Sequence, residues 1–150
     1  MPEGTYLAWL SDSNGNSPAG INPTDTADPF RRFVPSPAPY ILPDGTQIAA
    51  DFEDLTGPDA ILDASINIDA TGTLISFPDG VWINTTVNGG SKNDNLIFTC
   101  VDWSFDADSF TGSHELTEDP GSGGTPDFFE WTDLGIAGCQ NPFRLYCFQQ

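Results

Sequence analysis

A mixed α+β domain made mostly of short strands is what three features of this sequence predict. Fifteen glycines and thirteen prolines are spread along 150 residues, which sets many short strands and turns. Apolar residues alternate with polar ones over short runs, the period of a half-buried strand. No apolar stripe at helical spacing continues for more than a few turns. The length fits one domain, residues 1–150, able to bury about two thirds of the unfolded chain's surface.

Residues 4–10 alternate as an early strand, and Asp12-Ser13-Asn14-Gly15-Asn16 turns it into a loop. Residues 17–45 hold more than half of the prolines, with Phe30, Phe33, Tyr40 and Ile41 among them. Proline excludes a regular helix there and the aromatic rings exclude a floppy linker, so extended segments pinned across the domain are expected. Thr46 to Leu55 is the best helix candidate, capped by Thr46, with Ile48, Phe52 and Leu55 on one face and Gly57-Pro58 ending it. Ile61 to Ile68 and Leu74 to Phe77 read as strands around an Asp69-Ala70-Thr71-Gly72 turn. Val81 to Val87 and Leu96 to Trp103 are further strands, joined by a loop at Asn88 to Asn95. Ser104 to Asp127 is acidic, rich in Gly and Ser, and poor in core residues apart from Phe105 and Phe110. The last stretch alternates, Leu145 and Cys147 on one side, Tyr146 and Phe148 on the other.

Several of these blocks fall in a family order. Gly4-Thr5-Tyr6-Leu7-Ala8-Trp9-Leu10-Ser11, Arg31-Arg32-Phe33, Ala38-Pro39-Tyr40-Ile41-Leu42, Asp51-Phe52-Glu53-Asp54-Leu55, Gly80-Val81-Trp82, Thr99-Cys100-Val101-Asp102-Trp103, Trp131-Thr132-Asp133 and Gly138-Cys139-Gln140-Asn141 succeed one another before Arg144-Leu145-Tyr146-Cys147-Phe148. In order and spacing the chain resembles the C-type-lectin-like domain, and within it the endostatin-like branch that ends certain vertebrate collagens and recurs in secreted bacterial proteins. The resemblance implies a single C-type-lectin-like domain with long loops and a Cys100–Cys139 disulfide. Closing a loop of that length stabilises a fold by about 4 kcal/mol in the chain-entropy model. In the relatives an amphipathic helix with a first cysteine precedes the Gly-Thr-Tyr strand. This chain begins at Met1-Pro2-Glu3, after that helix would end, so Cys147 lacks its expected partner. Its apolar flanks suggest a buried free thiol, packed as a small hydrophobe.

Charge bounds the partners. Twenty-two Asp and Glu against four Lys and Arg give a formal net charge of −18. Such a surface repels nucleic acid, anionic lipid and heparin-like polymers. The heparan sulfate binding of the vertebrate endostatins runs through arginine clusters, and here only Arg31, Arg32, Lys92 and Arg144 are present. No apolar run approaches the roughly 20 residues that span a membrane, and the first residues have neither the basic start nor the apolar stretch of a signal peptide. Export is then encoded elsewhere or not needed.

For chemistry the sequence offers little. His114 is the only histidine and falls in a polar stretch, and no nucleophile elbow or phosphate loop accompanies it. The expectation is a protein without enzymatic activity and without a cofactor. Asn67-Ile68-Asp69-Ala70-Thr71-Gly72 matches the opening half of an oxygen-lined calcium loop, but Pro78 stands where the closing carboxylate belongs. A hairpin turn needs the same Asp and Gly, so calcium bound by Asn67 and Asp69 is expected to be weak. Trp131-Thr132-Asp133 occupies the place of the lectin Trp-Asn-Asp motif, with Thr for Asn. The ligand-contacting residues expected from the resemblance are Asp102, Trp103, Trp131 and Asp133, with the 104–127 loop as the binding surface. Asn84-Thr85-Thr86 is a glycosylation sequon, expected to be unused. The function expected is recognition or adhesion at a protein or glycan surface, outside the cell, at a cell surface or on a virion. The alternative is a structural or decoration subunit of an extracellular assembly or virion, with homo-oligomers or larger assemblies as partners.

Overall fold

The computed structural model describes residues 3–22, 25–57, 62–75, 80–86, 88–92, 99–104, 106, 111–116 and 135–150. Among them the chain is mostly short strands with two short helical segments. The elements are β1 (Tyr6–Ala8), β2 (Tyr40–Ile41), β3 (Gln47–Ala49), α1 (Phe52–Thr56), β4 (Gly80–Trp82), α2 (Cys100–Trp103), β5 (Thr111–Leu116), β6 (Gly135–Gly138), β7 (Arg144–Leu145) and β8 (Cys147–Gln149). They form a β1-β8 ribbon, a β2-β3 ribbon and a four-stranded sheet in the order β6-β5-β4-β7.

The expected early strand forms as β1, antiparallel to β8 with Leu7 opposite Phe148. The described residues of the 17–45 stretch are pinned as expected. Ser17 and Arg31 bridge in parallel, the Ala19 N–H donates to the Gly89 carbonyl at 2.8 Å, and an Arg32 guanidinium N–H donates to the Leu10 carbonyl at 2.9 Å. Phe33, carried by this stretch, is buried in the main core. There it meets Trp9 edge-on at 5.5 Å and Phe148 at 5.9 Å. Each such ring contributes on the order of 1.5–3 kcal/mol through burial, and together they fasten the proline-rich segment to the terminal ribbon.

The helix expected over Thr46 to Leu55 is shorter and differently capped. Pro43-Asp44-Gly45 makes a turn, with Gly45 at φ +93, and the Leu42 N–H donates to the Thr46 carbonyl at 2.7 Å. Turn chemistry therefore commits Gln47–Ala49 to β3, which buries Ile48 and Ala49. The helix starts only after Asp51, whose carboxylate accepts the Asp54 N–H at 2.9 Å, and it buries Phe52 and Leu55.

Three other expectations need correction. The 61–68 run is no regular strand where it is described: Ile68 and Leu74 form a single bridge across the turn. The stretch read as a strand up to Trp103 ends in the helical turn α2, whereas Leu96 to Phe98 lie outside the described residues. The acidic 104–127 segment is not all loop. Its residues 111–116 form β5, paired with both β4 and β6, so His114 sits in a strand with Trp82 as register partner. Glycine permits this, because a Cβ on Gly112 would come within 2.7 Å of the Trp82 ring and 2.8 Å of Cys100 Sγ.

The closing strand is divided at Tyr146. β7 pairs in parallel with β4, and β8 pairs with β1. Its alternation is as read from the sequence, with Tyr146 and Phe148 buried and Leu145 and Cys147 exposed. Cys147 is thus not the buried thiol that its flanks suggested. Those flanks are apolar because their own side chains fill the core, while the pleat turns Cys147 outward.

Candidate functional site

Cys100 and Cys139 are bonded, with their Cα atoms 5.7 Å apart, as the resemblance implied. Both are buried beside Trp82 in a second, smaller core that also includes Leu10 and takes Trp103 and Phe143 against it. Trp82 lies 4.8 Å from Phe143 and 5.9 Å from Trp103.

Around this bridge the backbone does something the sequence does not advertise. Cys100, Val101, Asp102 and Trp103 have φ of 50, 54, 51 and 61, so all four residues of α2 are left-handed. Without glycine this conformation costs roughly 1–2 kcal/mol per residue. Backbone and side-chain hydrogen bonds hold it. The Thr99 hydroxyl accepts the Asp102 N–H at 3.1 Å, and the Trp103 N–H donates to the Thr99 carbonyl at 2.7 Å. The Asp102 carboxylate in turn accepts the Ser13 N–H at 2.8 Å and the Ser13 hydroxyl at 3.1 Å. The Trp103 indole N–H donates to the Ser11 carbonyl at 3.0 Å.

Asp102 and Trp103, two of the four expected ligand contacts, therefore spend their polar atoms on the Ser11–Ser13 loop. The structure places them at a corner that ties three distant segments together. Trp131 and Asp133 lie outside the described residues, as do Phe128, Phe129 and most of the 104–127 segment.

At the proposed calcium turn, the Asp69 carboxylate accepts the Thr71 hydroxyl at 2.6 Å, the Thr71 N–H at 2.8 Å and the Thr73 N–H at 3.1 Å. The Thr71 hydroxyl, then these N–H groups, and finally the positive field of Arg144 hold the Asp69 carboxyl below the usual carboxylate range. Asn67 lends its backbone carbonyl to the Ile75 N–H at 2.8 Å. This is the geometry of a hairpin turn. Among the described residues no three His, Cys, Asp or Glu side chains gather as a metal site. Asn84 of the sequon is fully buried at φ +60, with Thr85 equally buried, so its amide is closed to a glycosylating enzyme.

A groove of about 950 Å³ opens beside the Asp69 turn. One wall is the β7–β8 strand, another is β2 with the turn after it, and a third is the Ile66–Ile75 hairpin. Ile41 is 63% exposed and Leu145 48% exposed, so two large aliphatic side chains on its walls face water. Cys147 is exposed on its β8 side and free of any disulfide; the protein packed behind the thiol pushes its pKa up by desolvation. Arg144 and Asp69 supply charge of both signs. Nothing in the sequence alone marks this groove, because its walls come from segments far apart in the chain. The one local sign is that both faces of the 144–148 stretch carry apolar residues, more than one buried face requires.

The chain matches no known protein-family model and no curated protein.

Proposed function

We propose that this chain is a non-catalytic recognition module of the endostatin-like, C-type-lectin-like kind, working outside the cell. The single observation that carries the reading is the groove. It has the size of a ligand site, its walls are largely aliphatic and aromatic, and large apolar side chains stand exposed on them. The Cys100–Cys139 bond supports an oxidising, extracellular setting. The net charge of −18 supports protein or neutral glycan surfaces over nucleic acid and heparin. None of the helices among the described residues is long and apolar enough to cross a membrane. The second reading, a structural or decoration subunit of an extracellular assembly or virion, draws support from the exposed Cys147 thiol beside exposed Leu145.

The test is binding of the purified protein to arrayed extracellular proteins and glycans, repeated with Ile41→Asp and Leu145→Asp. Saturable binding that these variants weaken is expected. Loss of all binding, together with concentration-dependent assembly into larger particles, would replace recognition with the structural reading.

A further inference from the structure

Among the described residues β8 is paired on one side only. In its ladder with β1 the Trp9 N–H donates to the Tyr146 carbonyl at 2.8 Å, and the Gln150 N–H to the Thr5 carbonyl at 2.8 Å. Tyr146 and Gln150 thus occupy the hydrogen-bonded positions, and by the alternation of an antiparallel ladder so does Phe148. Cys147 and Gln149, opposite Ala8 and Tyr6, take the intervening positions, where backbone N–H and C=O point away from β1. No strand among the described residues pairs with β8 on that outer side. Among the described residues the Gln149 carbonyl takes only its neighbour's side-chain amide, Gln150 Nε2, at 3.3 Å. Both residues line the groove.

An outward row of backbone donors and acceptors beside an apolar channel is the recognition chemistry of strand addition. Main-chain bonds supply affinity and alternate side chains supply specificity. Charge selects the occupant further. Asp69 and Arg144 offset each other on its walls, so the selection comes from the −18 of the whole chain.

We infer that the outer edge of β8 accepts an extended peptide segment from a partner protein. Its alternate apolar side chains cover Ile41 and Leu145, and its outward side chains are basic. The inference rests on the recognition reading and names the ligand class for its groove.

The test uses fluorescence anisotropy with end-capped eight-residue peptides: alternating Val and Lys, alternating Val and Glu, and the Val/Lys peptide N-methylated at alternate amides. The Val/Lys peptide should bind at least about tenfold more tightly than either of the others, a gap worth about 1.4 kcal/mol. Cys147→Pro, which removes an N–H that makes no bond to β1, should weaken binding by about as much. Ile41→Asp should weaken the Val/Lys peptide as well. Because the peptide series uses the unaltered protein, a folding defect in a variant cannot decide the matter.

Equal binding of the acidic peptide, or no effect of N-methylation, would overturn the inference. Concentration-dependent dimerisation that the Val/Lys peptide fails to compete would assign the edge to a second copy and overturn it too. If every peptide fails while arrayed ligands still bind, the strand-addition inference falls and the recognition reading stands.

Discussion

The Asp102 carboxylate accepts the Ser13 backbone N–H at 2.8 Å, joining residues 89 apart in sequence. Through this bond the left-handed turn behind the disulfide and the loop after β1 support each other. Removing the carboxylate leaves the Ser13 amide short of a partner and releases one restraint on α2. Asp102→Ala should therefore lower stability by about 1.5–3 kcal/mol, the range for a hydrogen bond to a charged group. Urea denaturation of the two proteins measures it, and an unchanged midpoint would show that the corner is held by the disulfide alone.

Of the three thiols, only Cys147 should react with a maleimide in the folded, unreduced protein, since Cys100 and Cys139 are buried and bonded. Its raised pKa keeps the thiol protonated further into the alkaline range, so labelling should keep accelerating beyond the pH at which an ordinary cysteine levels off. Peptide mapping by mass spectrometry reads the site. Replacing Cys100 and Cys139 with Ala should cost about 4 kcal/mol and lower the melting temperature accordingly.

Among the described residues three carboxylates contribute to the acid limit. Asp28 is held below the usual range by the Asn22 and Phe30 N–H groups, Asp44 by the Thr46 N–H, and Asp69 by the Thr71 hydroxyl. Asp28 has little surface of its own in water, yet few protein atoms lie behind it, so the donated N–H bonds outweigh desolvation. Because the folded pKa values lie below the unfolded ones, the stabilisation is fully present above roughly pH 4 and is lost as pH falls through the folded values. The melting temperature should stay level from pH 7 to about pH 5 and fall below about pH 4. Asp28→Asn should flatten that fall; an unaltered profile would mean other acids set it.

Calcium should raise the melting temperature only slightly, and magnesium should do the same, because Asp69 already accepts three donors within its own turn. A large rise confined to calcium and abolished by Asp69→Ala would make the turn a genuine site.

At physiological salt the protein should pass through heparin and DNA columns unretained, given its net charge of −18. Retention there would locate a local patch at Arg31, Arg32 or Arg144.

The sequence by itself determined what neighbouring residues decide among themselves. Asp69 with Gly72, and Asp12, whose carboxylate accepts the Asn14 and Asn16 N–H groups at 2.9 Å each, make turns through bonds spanning two to four residues. The proline-rich stretch was legible because proline forbids a helix wherever it falls. That Leu145 and Cys147 share one side and Tyr146 and Phe148 the other followed from strand period, whereas which side faces water did not.

The tertiary structure decided the rest. β5 forms in an acidic stretch because β4 and β6 flank it with open ladders, and the left-handed α2 exists because Cys139 and Ser13 hold it from far along the chain. The exposure of the Cys147 thiol and the groove beside it depend on Ala8 closing against residue 147. Such pairings bring together chain segments from 21 to 139 residues apart, and their free energy appears only on closure, so no local pattern of residues announces them.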